Sequence, residues 1–300
     1  MSFTIDVKKE LCATQYDQKC CKRAHLAGIA GFCGATVLEN GKEAFRMRTE
    51  SKKIATRVTE LLFELLKIEA EVLKAGRIYN IMVMKGADLL LKELGYKENG
   101  VVKFSVNPFV VHEECCKTAF LAGAFLGGGY VKTPENGYHF EIKTHYRDLS
   151  NDLADIIEAI GFEPKTVMRK SEYVVYLKQS DAICDLLATI GATDAMFELC
   201  NVKIYKDMCN NITRKVNCDT ANINKTAEAA AQQLLAIKKI QKKQGLSSLP
   251  ENLETIARLR LENPEATLTE LGEWLKPPIS KSGVNHRLKK IIQIADSLSD

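Results

Sequence analysis

No two of the ten cysteines are spaced C-x-x-C, and no apolar run approaches the roughly 20 residues that span a bilayer. The first residues, Met1-Ser2-Phe3-Thr4-Ile5-Asp6, carry neither the basic nor the apolar stretch of a secretory signal. The longest apolar stretch, Ala119 to Val131, is too short for a membrane helix. The cysteines fall at Cys12, Cys20, Cys21, Cys33, Cys115, Cys116, Cys184, Cys200, Cys209 and Cys218. Neighbours on one helix diverge by about 100°, so Cys20-Cys21 and Cys115-Cys116 are expected to be neither disulfides nor chelates. No metal and no cofactor is expected, and so many unpaired thiols point to a reducing cytoplasm.

A strong net charge is also lacking, but the formal +4 is unevenly spread over the 300 residues. Residues 1 to 202 are net −1, residues 203 to 245 hold 9 basic and 3 acidic side chains for a net +6, and residues 246 to 300 are net −1. With 46% hydrophobic residues the chain can bury conventional cores, and its length suits two domains.

What the chain does contain is a repeat. Cys20 to Ala35, CCKRAHLAGIAGFCGA, matches Cys115 to Tyr130, CCKTAFLAGAFLGGGY, at an offset of 95 positions. Gly and Ala recur where one backbone must approach another, so the two copies are read as helices packed on each other. The spacing Gly28, Gly31, Gly34 also suits a dinucleotide loop, but no strand of branched residues precedes it. Both copies resemble the LAGLIDADG motif of homing endonucleases, in Leu26-Ala27-Gly28-Ile29-Ala30-Gly31-Phe32-Cys33-Gly34 and Leu121-Ala122-Gly123-Ala124-Phe125-Leu126-Gly127-Gly128-Gly129. The resemblance implies an acid at the eighth position that holds a divalent metal. Here that position is Cys33 in one copy and Gly128 in the other, so the metal chemistry is expected to be lost.

After each copy the patterns recur in one order. In the first, Gly41 to Glu50 alternates as a strand, Ser51 to Leu66 is an amphipathic helix capped by Ser51, Gly76 to Met84 is a strand and Lys85 to Leu94 a helix stopped by Gly95. In the second, Tyr138 to Thr144 is a strand, Leu149 to Ile160 a helix, Tyr173 to Leu177 a strand and Asp181 to Ile190 a helix. The expected fold class is α+β, a duplicated αββαββα LAGLIDADG-like domain followed by an all-α helix-turn-helix domain. The expected divisions are residues 1–205, with repeats at about 20–100 and 115–200, a basic helical linker 206–245, and 246–300.

Met196 to Tyr205 reads as a last strand or exit. Asn210 to Thr226 is rich in amides, with Met208, Ile212 and Val216 in a helical stripe, and reads as a helix or broken helix. Ala227 to Gln244 is a helix whose Lys238, Lys239, Lys242 and Lys243 suit its C-terminal dipole or a phosphate. Beyond it, Glu251 to Glu262, Thr267 to Leu275 with a Thr267/Glu270 capping box, and Ser280 to Leu298 form a helix-turn-helix around the corner Lys276-Pro277-Pro278-Ile279. Val284, Leu288, Ile291, Ala295 and Leu298 are expected to face the core, and Ser282, Asn285, His286 and Lys289 to face outward. From Lys276 to Ala295 there are five basic residues, Lys276, Lys281, Arg287, Lys289 and Lys290, and no acid. Asn285 can bond adenine in pairs, Lys and Arg can read guanine or hold phosphate, and Ser280 or Ser282 at the helix start suits a phosphate. Arg214 and Lys215 are further candidate DNA contacts.

Pro277 to Leu288, Asn217 to Asn222 and the degenerate motif pair together resemble the WhiA family of bacterial regulators, across essentially the whole chain. That resemblance implies a non-enzymatic protein of Gram-positive bacteria, acting on double-stranded DNA at the nucleoid, linked to cell division and chromosome segregation and, in sporulating relatives, to transcription of sporulation genes. A protein partner for the duplicated domain is compatible with it. The rival is a nuclease or RNA maturase, which needs replacement acids. None of Asp17, Glu39, Glu113 or Glu114 lies at the required helix end.

Overall fold

The computed structural model describes residues 2–39 and 41–298. They divide into two compact units, residues 1–207 and 208–300.

In the first unit, α1 (Phe3–Ala13) precedes the first repeat: α2 (Lys19–Cys33), β1 (Gly34–Glu39), β2 (Lys42–Thr49), α3 (Lys52–Leu66), β3 (Glu71–Ala75), β4 (Ile78–Val83) and α4 (Ala87–Glu93). A two-residue hairpin pair, β5 (Lys97–Glu98) and β6 (Val101–Val102), follows. The second repeat is α5 (Glu114–Gly128), β7 (Gly129–Val131), β8 (Phe140–Thr144), α6 (Arg147–Ala159), β9 (Lys165–Arg169), β10 (Glu172–Leu177) and α7 (Ser180–Thr189). The two antiparallel sheets have matching order, β1-β2-β4-β3 and β7-β8-β10-β9. The αββαββα order therefore occurs twice.

The local causes are those of the residue types. Ser51 accepts the Ile54 amide at 3.4 Å and starts α3. Gly95, Gly161 and Gly191 take positive φ of 77°, 97° and 92° just beyond the ends of their helices, values open to glycine at no steric cost.

The centre of this unit is the crossing of α2 and α5. A Cβ on Gly28 would lie 2.2 Å from the Phe120 carbonyl oxygen, and one on Gly123 would lie 2.1 Å from that of His25. Only glycine lets the backbones meet there. The helices run parallel, and Leu26, Ile29, Ala30, Leu121, Ala122 and Phe125 are fully buried around the contact. His25 is enclosed with them, its Nδ1 3.1 Å from the Ala119 oxygen.

Several sequence expectations need correction. Met196 to Tyr205 is no strand: it belongs to α8 (Thr193–Lys243), as do Asn210 to Thr226, without a break, and the helix expected from Ala227. The start of α8 is held by Glu10 of α1, whose carboxylate accepts the Asp194 and Ala195 amides at 2.7 and 3.1 Å. Such a cap, from 184 positions away, leaves no local signature. Thr213 and Thr226 donate to the carbonyls four residues back, so these polar side chains do not interrupt the helix. The stripe Met208, Ile212, Val216 is helical but buries little, each residue being 55–60% exposed. Edge strands β3 and β9 were not expected; almost every residue of both is exposed, which erases the period of two.

The second unit has its own core, in which Ala236, Ile237 and Ile240 of α8 join residues of α9 (Glu251–Glu262), α10 (Leu268–Glu273) and α11 (Lys281–Ser297). That core starts before residue 246, because the last turns of α8 supply one wall of it. Arg260 is 3% exposed, its Nη1 donating to the Ala266 oxygen at 2.6 Å, a buried charge the helical period does not announce.

Two outcomes follow. Gly28→Ala or Gly123→Ala forces the helices apart and lowers stability by about 1–3 kcal/mol, measurable by denaturant unfolding; unchanged stability contradicts the close contact. Burial, then Arg57, depresses the His25 pKa from 6.5 to about 4. The folded state thus holds fewer protons than the unfolded between those values, so stability is complete above the unfolded pKa and falls as pH drops toward 4. His25→Gln should flatten that part of the stability-pH curve, and an unchanged slope would assign it to other groups.

Candidate nucleic-acid interface

In the second unit, α10 opens with the expected capping box: Thr267 Oγ1 accepts the Glu270 amide at 3.3 Å and Glu270 accepts that of Thr267 at 2.7 Å. The corner before α11 folds tightly over Gly272, where a Cβ would meet the Ile279 oxygen at 2.4 Å and whose own carbonyl accepts the Ile279 amide at 3.0 Å. Val284, Leu288, Ile291 and Ala295 face the core, with Leu298 partly buried at its edge. Of Trp274 and Leu275, it is Leu275 that is buried.

The opposite side of α11 exposes Ser282, His286, Lys289 and Lys290, with Lys281 in the first turn and Lys276 in the preceding corner. Asn285 lies half-buried at the margin of this face. Two residues of the expected set also make contacts within the unit. Ser280 is the N-cap, and its Oγ accepts the Gly283 amide at 3.3 Å, so its hydroxyl is engaged in starting the helix. Arg287 is half-buried and its Nη1 donates to the Asn252 oxygen at 3.4 Å, on the flank toward α9. Arg214 and Lys215 are exposed on α8, apart in sequence from the α11 group.

In the first unit, Cys33 and Gly128 meet at the C-terminal ends of α2 and α5, in a cleft also lined by Lys8, Arg46, Arg48, Glu50, Lys143 and His145. Arg46 and Arg48 of β2 and Lys143 of β8 reach it because each strand folds back beside its own motif helix; the sequence expectation named none of them, although Arg46 and Arg48 alternate along one strand. A hard divalent metal such as magnesium does not fit this donor set. Burial pushes the Cys33 thiol up to about 12, a thiol is a poor ligand for an oxygen-seeking cation, and among the described lining residues one carboxylate, Glu50, stands with four cationic side chains. The Lys8 ammonium donates to the Leu126 carbonyl at 3.2 Å, bringing a protein cation to the helix end. At Gly128 the loss is steric as well, since a Cβ would sit 2.4 Å from the Lys143 carbonyl oxygen. Asp17, Glu113 and Glu114 sit at or before the other ends of the two helices, and Glu39 closes β1.

Fold and site together define a LAGLIDADG-type scaffold without its metal-holding acids, followed in sequence by a helix-turn-helix unit. Models of the WhiA N-terminal LAGLIDADG-like domain, the WhiA LAGLIDADG-like domain and the WhiA C-terminal HTH domain match residues 19–96, 117–209 and 212–295. A probable cell division protein WhiA of Alkaliphilus metalliredigens is 41% identical over 310 residues, covering 99% of this chain and 98% of that one. Its counterpart in Clostridium acetobutylicum is 42% identical over 312 residues, with the same coverage. A crystal structure of full-length WhiA from Thermatoga maritima matches the whole of both chains with a TM-score of 0.63 at 23% identity, a likeness of fold. The chain belongs to the WhiA family.

Among the described residues no helix is long and apolar enough to cross a membrane.

Reinstating the acids should not restore a nuclease. Cys33→Asp with Gly128→Asp is expected to leave supercoiled plasmid intact in magnesium and to lower the unfolding midpoint, because the second carboxylate collides with β8. Nicking above background by the double variant contradicts this account of the site.

Proposed function

We propose that this protein is a DNA-binding regulator of cell division that reads duplex DNA with α11 and does not cut it. The observation that carries the reading is the outward face of α11: cationic and amide side chains with no acid from Lys276 to Ala295, on a helix whose other face is locked into a core. A helix of that diameter fits the major groove, where Asn285 would pair with an adenine edge and Lys289 with guanine or phosphate. Lys276, Lys281, Ser282, His286 and Lys290 surround them as phosphate or base contacts. Arg214 and Lys215, in the segment of net charge +6, add backbone contacts, and Ser280 and Arg287, each also bonded within the unit, add contacts at the helix start and on its flank. The cell-division role is supported by the names of the relatives that share the full length of the chain. Roles in chromosome segregation and, in sporulating relatives, in transcription of sporulation genes extend the same reading, as does a place on the nucleoid in the cytoplasm. Catalysis is absent in this reading because the cleft at Cys33 and Gly128 supplies no pair of carboxylates.

A duplex recovered by selection from random sequences tests it. Asn285→Ala is expected to cost about 1–3 kcal/mol on that duplex and to relax discrimination at one base pair. Lys289→Ala should weaken all duplexes and, if it holds phosphate, reduce the salt slope by about 1. Unchanged affinity and slope in both variants would move the readout off α11.

A further inference from the structure

The other ends of α2 and α5 hold a constellation that the function above does not use. Each helix carries two adjacent cysteines at its second and third positions, Cys20-Cys21 behind the N-cap Gln18 and Cys115-Cys116 behind the N-cap Glu113. Within one helix such neighbours diverge, which is why neither pair was expected to chelate. The parallel crossing changes that, because each pair is completed by the other. The sulfurs of Cys20, Cys21 and Cys116 lie within 4.8 Å of one another, and Cys115 interacts with both Cys21 and Cys116. The Gln18 Oε1 accepts from the thiols of Cys20, Cys21 and Cys115 at 3.4, 3.9 and 3.8 Å, so one side chain gathers three of the four. Cys21 and Cys116 are buried, Cys20 is half-buried and Cys115 is exposed, which leaves the cluster enclosed on one side and open to an entering ion on the other.

We propose that Cys20, Cys21, Cys115 and Cys116 form a tetrathiolate site for a zinc ion that ties the two repeats together. Four sulfurs at about 2.3 Å from one zinc stand about 3.8 Å apart, so Cys20, Cys21 and Cys116 need to draw in by only about 1 Å, and the exposed Cys115 side chain swings in as the fourth ligand. Four thiolates select a thiophilic metal and reject magnesium or calcium. An iron–sulfur cluster, also a four-cysteine ligand set, stands between its sulfurs and needs them set wider. The two helix N-termini favour the negative charge that the bound thiolates carry. On binding, each thiol that becomes a ligand gives its proton to solvent and forms one sulfur–zinc bond; nothing is oxidised or reduced. Gln18 then turns its amide N–H toward the sulfurs whose hydrogen bonds its oxygen had accepted, the supporting contact a thiolate site requires.

The full chain, purified without metal-chelating resin and kept reduced, is loaded with cobalt(II) as a spectroscopic stand-in. One equivalent is expected to give the intense visible bands of tetrahedral cobalt with near-ultraviolet thiolate charge transfer. Zinc should bleach them and magnesium should not, and zinc should raise the unfolding midpoint. Cys115→Ser, at an exposed position, should keep the fold yet weaken zinc binding by more than about tenfold, while Cys209→Ser, on exposed α8, should not. Weak octahedral cobalt bands, a Cys115→Ser variant that binds zinc as the parent does, or iron–sulfur absorption in the purified protein would each overturn the assignment.

Discussion

The backbone contact between α2 and α5 sets the rest of the first unit. Gly28 stands against the Phe120 carbonyl and Gly123 against that of His25, at separations that leave no room for a side chain. Because each repeat contributes one of the two helices at the same level, equivalent positions of the repeats are brought together along the whole crossing. At one end these are Cys33 and Gly128; at the other they are two cysteine pairs. A single packing constraint therefore fixes both what the scaffold lacks and what it has gained.

At the C-terminal end, what excludes a hard divalent metal is more than the lack of a pair of acids. The Lys143 carbonyl of β8 lies against Gly128, and the Lys8 ammonium is within hydrogen-bonding distance of the Leu126 oxygen. Positive charge from Lys8, Arg46, Arg48 and Lys143 remains in the cleft, with Glu50 as its carboxylate. Such a surface attracts polyanions but cannot hold a divalent cation to activate water. In the second unit, α11 is fixed by a core of its own, so its outward residues are displayed on a rigid support.

Much of this was legible in the sequence because it depends on local rules. The repeat offset, the small residues of the crossing, the glycine helix stops and the faces of α11 are all periodic or positional signals. What escaped depends on partners distant in sequence. Glu10 caps α8, which turned an expected strand into a helix. Edge strands β3 and β9 have no buried face to generate alternation. The capping bond of Ser280 and the bond from Arg287 to Asn252 add a role within the unit that charge and position alone do not announce. Helix geometry turns the cysteines of each pair apart, and only the crossing of α2 on α5 brings Cys20, Cys21 and Cys116 together.

The central claim, a disarmed cutting scaffold that reads duplex DNA through its last helix, is tested most directly by photo-cross-linking the protein to a bound duplex in magnesium buffer and mapping the linked peptides by mass spectrometry. The account predicts cross-links in residues 281–290 on DNA that stays whole. Cross-links confined to other segments, or strand scission in the same tube, would contradict it.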